Sequence, residues 1–302
     1  MPARADAPVG TSFPDGFRVP IDTSLRVPVI GFGAAGAIKR VPVIFLHGNN
    51  DTPYPTNCNG AYGDMLAFAQ YFHEHGYRLS ELWGLGYQGD QCDLLTDQNR
   101  RSQYAHSTIA NVPDLDAFVR EVMRFTGARK IDIVGHSLGV TLAREWMRQT
   151  KSHKRVRALV GVDGPNHGII NCSPDPQNFW QQVGGFTPSS AICQEYGSDR
   201  TPLLARLNRG DETPGPTKYL TIRNGDASFV FIAERDGVVP PVPAKDWDGA
   251  PHDFSNSAAL KGARNVVVTG QGAFDAALQA AHLGIANSPA VWQLAHEFLV
   301  SV

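Results

Sequence analysis

The feature that most restricts the fold of this chain is a five-residue turn, Gly135-His136-Ser137-Leu138-Gly139, between an apolar run and a helical pattern. Lys130–Val134 (KIDIV) reads as a buried strand. Leu138–Gln149 reads as a helix. A chain that passes from strand to helix in so few residues presses the first helical turn against the strand it leaves. Both flanking positions must then be glycine to avoid clashes. The same bend holds the central serine exposed at the sheet edge with its hydroxyl facing a base, the geometry of a nucleophile elbow.

The rest of the chain repeats this alternation. Val41–Leu46 (VPVIFL) is a buried strand, followed by Met65, Phe68, Ala69 and Phe72 at helical spacing up to Gly76. Glu81–Tyr87 is a second strand. Asp114 is read as the cap of a helix carrying Leu115, Phe118, Val119, Val122 and Phe125, closed by Gly127. Val156–Val162, Tyr219–Ile222, residues 229–233 and Asn265–Thr269 are further strands, and Ser288-Pro289 opens a last helix. Strands alternating with helices argue an α/β fold, a mostly parallel sheet covered by helices on both faces. The 302 residues are read as a single domain. Residues 171–216, rich in Pro, Gly, Asn and aromatics, interrupt the alternation and read as a loop-rich insertion over the C-terminal edge of the sheet, where such folds bind ligands.

Composition removes several classes. Lys plus Arg is 27 against 29 Asp plus Glu, so there is no basic face for nucleic acid or anionic membrane. No apolar run approaches the ~18 residues of a membrane span. Gly31-Phe32-Gly33-Ala34-Ala35-Gly36 matches a dinucleotide fingerprint, but only Ala37–Arg40 separate it from the next strand, with no room for the helix that such a site needs. It reads as a hairpin between edge strands, and no cofactor is expected. No CxxC pair or HExxH occurs, so no metal site is expected either. Four cysteines at wide spacing fit two disulfides, read as Cys58–Cys92 and Cys172–Cys193, and an oxidising compartment. The first residues lack the apolar core of a signal peptide, and Ala5-Asp6-Ala7 has the small-x-small pattern found around a cleavage site. The chain is therefore read as a secreted or periplasmic monomer.

Acyl transfer at Ser137 needs further groups. Two N–H donors must face the carbonyl oxygen as it becomes negative. Leu138 supplies one from the elbow, and Asn49, in the His47-Gly48-Asn49-Asn50 loop after the first buried strand, supplies the other. The base must follow the last strand. His282 is preferred because it lies in a loop with Gly284, whereas His296 falls beside the apolar face of the terminal helix. His136 is read as a packing residue, and His73 and His75 as a solvated helix end. The acid is Asp236 in a turn after two strands, with Asp163 and Asp226 as alternatives. Asp236 gives the chain order Ser, Asp, His. Phe179, Trp180, Phe186 and Ile192 either line the site or form a small core beneath the insertion. Asn171-Cys172-Ser173 is a formal glycosylation sequon.

HGNN, then LWGLGY, then FTGARKIDIVGHSLGV, resemble the lipase-like secreted α/β-hydrolases over roughly residues 41–165. They are most similar to the lipase-like extracellular poly(3-hydroxybutyrate) depolymerases and, more widely, to small bacterial lipases. The chain departs in carrying Gly135 where the depolymerase box has Ala, and its insertion does not match the aromatic-rich region of those enzymes. The resemblance implies an α/β-hydrolase fold and a serine carboxylic ester hydrolase with Ser137, Asp236 and His282 as triad. It also implies Asn49 and Leu138 as oxyanion donors and a hydrophobic ester or polyester substrate. An acyltransferase, thioesterase or peptidase on the same triad, or a non-catalytic binding protein, are the other readings.

Overall fold

The computed structural model describes residues 7–23, 26–49, 51–56, 65–87, 107–169, 172, 190–225, 249–250, 252, 254, 256–270 and 280–302. Among the described residues, seven strands form one sheet in the order β1-β3-β2-β4-β5-β6-β7. They are β1 (Ile30–Phe32), β2 (Val43–Leu46), β3 (Leu82–Gly86), β4 (Ile131–His136), β5 (Val156–Val162), β6 (Lys218–Asn224) and β7 (Arg264–Val268). All neighbours are parallel except β1, which runs antiparallel to β3. The described helices are α1 (Met65–Glu74), α2 (Thr108–Thr126), α3 (Leu138–Thr150), α4 (Ala191–Tyr196), α5 (Pro202–Leu207), α6 (Ala280–Ala286) and α7 (Pro289–Ser301).

Period-two alternation divides the core between the two faces of the sheet. Ile44, Leu46 and Ile133 pack with Leu115 and Phe118 of α2 and Leu142 and Trp146 of α3. Val43, Phe45 and Val134 pack on the other face with Phe68 and Phe72 of α1 and Val291 and Leu299 of α7. The central strands are buried on both faces, which is why they read as unbroken apolar runs.

Three local expectations are corrected. The helix read from Asp114 begins at Thr108, capped by Ser107, whose Oγ accepts from Ala110 N. Pro113 thus lies inside it. Asp114 is a buried helical residue whose Oδ1 accepts from Thr23 N at 2.9 Å. The glycine-rich Gly31–Gly36 segment is not a hairpin, because β1 lies against β3 rather than against the next strand, β2. A Cβ on Gly33 would fall 2.2 Å from the Trp83 ring, so the glycine permits a close crossing and not a phosphate cradle. Third, His282 stands in α6 rather than in a loop.

The described part of the 171–216 segment is tied into the main core. Ile192, Cys193, Tyr196, Leu203 and Leu204 join the cluster beneath α3, so Ile192 is a core residue. Cys172 and Cys193 are disulfide-bonded. Cys58, Cys92, Asn171, Phe179, Trp180 and Phe186, and the strand read at 229–233, lie outside the described residues.

Candidate active site

Ser137 caps α3 with φ 51° and ψ −124°, in the left-handed region that L-residues avoid. Packing forces this conformation. A Cβ on Gly139 would lie 2.6 Å from the carbonyl oxygens of His47 and Leu46, and one on Gly135 would lie 2.9 Å from the backbone of Gly139. The helix start, β4 and the end of β2 are therefore in backbone contact, and both flanking glycines are required. Ser137 N donates to Val162 O at 2.9 Å, which fixes the elbow to the end of β5.

The next residue along β5 is Asp163. It also has a positive φ, 49°, and its amide donates to Ile222 O at 2.8 Å. Its Oδ2 lies 2.6 Å from His282 Nδ1, and its Oδ1 accepts from Asn224 N at 3.2 Å. Both partners are buried, at 0% exposure for Asp163 and 3% for His282. Burial pushes the Asp163 carboxyl above the usual carboxylate range, while the His282 and Asn224 donors work against that rise. With the carboxylate accepting, Nδ1 of His282 carries the proton and Nε2 is left as the basic atom.

A second contact brings His282 to the elbow. His136 Nε2 donates to the backbone oxygen of His282 at 2.9 Å, and the two rings lie 4.7 Å apart. Ser137, Asp163 and His282 are thus linked through Val162 and His136. Sequence reasoning treats His136 as packing. Its burial is as expected, but its ring also anchors the segment that carries His282. Burial holds the His136 ring well below its ordinary pKa, so it stays neutral and keeps its donor at Nε2.

The 47–49 loop passes beside the serine. A Cβ on Gly48 would be 3.1 Å from both Ser137 Cβ and His136 Nδ1. The loop is locked from behind. His47 Nδ1 donates to Gly48 O at 2.8 Å, its ring stacks on Tyr87 at 4.0 Å, and the Tyr87 hydroxyl donates to His47 O. Burial lowers the His47 pKa to about 4, so this donor geometry persists through the neutral range. Asn49 follows in a turn, partly buried, and Leu138 is the first residue of α3. The roles of His47 and Tyr87 escape sequence reasoning. The only signals were the sequence position of His47 before Gly48 and the tyrosine ending the β3 run.

Asp236 and Asp226 lie outside the described residues, and among the described residues Asp163 is the carboxylate hydrogen-bonded to the His282 ring. His296 is structural as expected: its Nε2 contacts His75 O at 3.1 Å and its ring packs on Phe72 and Tyr77. His73 and His75 bond to backbone oxygens of Tyr77 and Tyr71.

The family model described as Lipase (class 2) matches residues 40–235, about two-thirds of the chain. No curated protein sequence matches it. Among solved structures, a hormone-sensitive lipase from a metagenome library superposes with a TM-score of 0.51 at 15% identity, covering 99% of this chain and 86% of that one. Dienelactone hydrolase from Anabaena variabilis gives 0.50 at 16%, covering 94% and 96%. Aspergillus fumigatus lipase B also gives 0.50 at 16%, covering 88% of this chain, which spans only 54% of that protein. Likeness at this identity shows the fold, the α/β-hydrolase fold.

Proposed function

The chain belongs to the class 2 lipase family, a family of carboxylic ester hydrolases, and from that premise we propose that it is a secreted serine hydrolase of apolar esters, with Ser137, His282 and Asp163 as its triad. The observation that carries the triad is the buried 2.6 Å pair of Asp163 and His282 beside a serine held at positive φ. Asp163 is proposed in place of the Asp236 of the sequence reading because, among the described residues, it is the carboxylate hydrogen-bonded to the imidazole, at the end of the strand next to the nucleophile strand.

His282 Nε2 takes the proton as Ser137 Oγ bonds to the ester carbonyl carbon. The carbonyl oxygen becomes an oxyanion facing the amides of Asn49 and Leu138, each worth about 3 kcal/mol of transition-state stabilisation. As the ester C–O bond breaks, His282 returns the proton to the departing alkoxide oxygen and the alcohol leaves. Water, deprotonated by the same nitrogen, then attacks the acyl-serine and releases the acid. Asp163 accepts from Nδ1–H throughout, holding the tautomer and stabilising the imidazolium.

A polyester such as poly(3-hydroxybutyrate) or an acylglycerol is the substrate class. Support comes from the family match and from the sequence resemblance over residues 41–165. The Cys172–Cys193 disulfide supports an extracellular or periplasmic setting. Among the described residues no helix is long and apolar enough to cross a membrane. The test is hydrolysis of p-nitrophenyl esters of rising chain length by wild type and Ser137→Ala. The variant is expected to lose at least ~10³-fold in kcat. Equal rates in the two proteins would remove the catalytic reading. Clearing of polyhydroxybutyrate granules, set against fatty-acid release from triolein, assigns the substrate.

A further inference from the structure

A second concave site lies at the end of α3 remote from the nucleophile. Arg144 stands seven residues beyond Ser137, about 10 Å along the helix axis. It lines a cavity of about 270 Å³ together with Arg148, Arg206, Arg209 and Asp211. His153, before β5, and Tyr219, near the start of β6, place the cavity toward the N-terminal edge of the sheet, opposite the triad.

The charges here do not balance. Arg144 is 5% exposed. Its guanidinium donates to Asn166 Oδ1 at 2.8 Å, to Asn208 Oδ1 at 2.9 Å, and to the backbone oxygens of Leu207 and Glu212, all neutral acceptors. Among the described residues no carboxylate hydrogen-bonds to it, but the Glu212 carboxylate and, more weakly, that of Glu145 favour its charge from a distance. Arg148 makes a two-bonded pair with buried Glu145 at 2.8 Å, and Arg206 shares that carboxylate at 3.7 Å. Arg209 is exposed and, among the described residues, has no ion-pair partner. Four guanidinium groups therefore face three carboxylates, Glu145, Asp211 and Glu212, which leaves about one positive charge around one concavity. A buried cation whose hydrogen bonds all go to neutral acceptors is costly, and a further anion close by offsets that cost.

We propose that this cavity is an anion site for a phosphate-type group, taken as free phosphate or a small phosphomonoester. Such a group carries a charge of about −1.5 to −2 near neutrality, opposite in sign to the surplus and large enough to offset it. Guanidinium forks suit its paired oxygens. The volume leaves room for a short organic remainder. A lipid headgroup offers the same chemistry. However, a membrane docked at this edge would leave Ser137 facing away from it, so the soluble source is favoured.

The test is thermal unfolding and equilibrium dialysis with inorganic phosphate, at constant ionic strength set with chloride, on wild type, Arg209→Gln and the Arg206→Gln/Arg209→Gln double variant. Wild-type Tm is expected to rise saturably, by about 5 °C at a hundredfold excess over Kd. The double variant should bind roughly tenfold more weakly or worse, with ester hydrolysis unchanged. Ser137→Ala should bind phosphate as wild type does, so failure of the esterase reading leaves this test standing. A Tm response no larger than that to chloride, or an undiminished one in the double variant, would overturn the site. Binding only to vesicles of phosphatidate in phosphatidylcholine, with no response to free phosphate, would overturn the soluble source.

Discussion

Ser137 sits in a backbone conformation that costs about 1–3 kcal/mol, and the surrounding contacts hold it there. Gly135 and Gly139 accept the crowding, while the amide bond to Val162 O fixes the turn to β5. Asp163 is strained in the same sense and one residue farther along, so a single strand end carries both the elbow's anchor and the carboxylate. The assignment of the acid is decided by exchanging the candidates. Asp163→Asn is expected to lower kcat by roughly 10³–10⁴-fold with little change in KM, because the amide favours the wrong imidazole tautomer. Asp236→Asn should leave kcat within a factor of about two. The reverse pattern would return the role to Asp236. His136→Phe keeps a ring but removes the donor to the His282 carbonyl. A hydrogen bond is worth about 1–1.5 kcal/mol, so a kcat loss of roughly tenfold is expected, with KM preserved. An unchanged kcat would leave His136 with packing alone.

Among the elements, α2 shows how far its own sequence underdetermines a helix. Ser107 caps it, but the remaining first-turn donors are met from the 190s. Glu195 on α4 accepts from the Ser107 hydroxyl and from Thr108 N, and Tyr196 OH bonds to Thr108 and, at 2.7 Å, to Thr141 of α3. A carboxylate at a helix N-terminus is favoured by the macrodipole as well as by these bonds. Glu195→Ala should therefore cost about 1–3 kcal/mol, seen as a lower urea midpoint with unchanged slope. A midpoint equal to wild type would mean that α2 is capped adequately by Ser107. The same contacts explain why the described part of the insertion belongs to the core. Its two short helices complete the N-terminus of one long helix and cover the flank of another.

On the scale of the whole molecule, buried charge governs the pH response. Asp114 is buried, its Oδ2 lacks a hydrogen-bond partner among the described residues, and burial followed by the nearby Asp22 raises its pKa to about 6. Its unfolded value is 3.8, so between roughly pH 4 and 6 the folded state holds the proton more tightly. Stability from this group is present at acid pH and is lost as pH rises through that window. Asp114→Asn keeps the acceptor for Thr23 N and should flatten that decline, adding about 1–2 kcal/mol at pH 7.5 and little at pH 4. Equal gains at both pH values would contradict the raised pKa. The sequence alone specified the layered α/β architecture and the elbow with its two glycines, and it singled out the histidine proposed here as the base. These rest on periodicity, steric exclusion and chain order, all of which act over short stretches. It did not specify which aspartate meets His282, that His136 grips the same residue from behind, or that Glu195 finishes a helix 87 positions earlier. Those are matters of which strand ends and loops become neighbours once the sheet is assembled, and hydrogen-bond partners far apart along the chain leave no periodic trace in it.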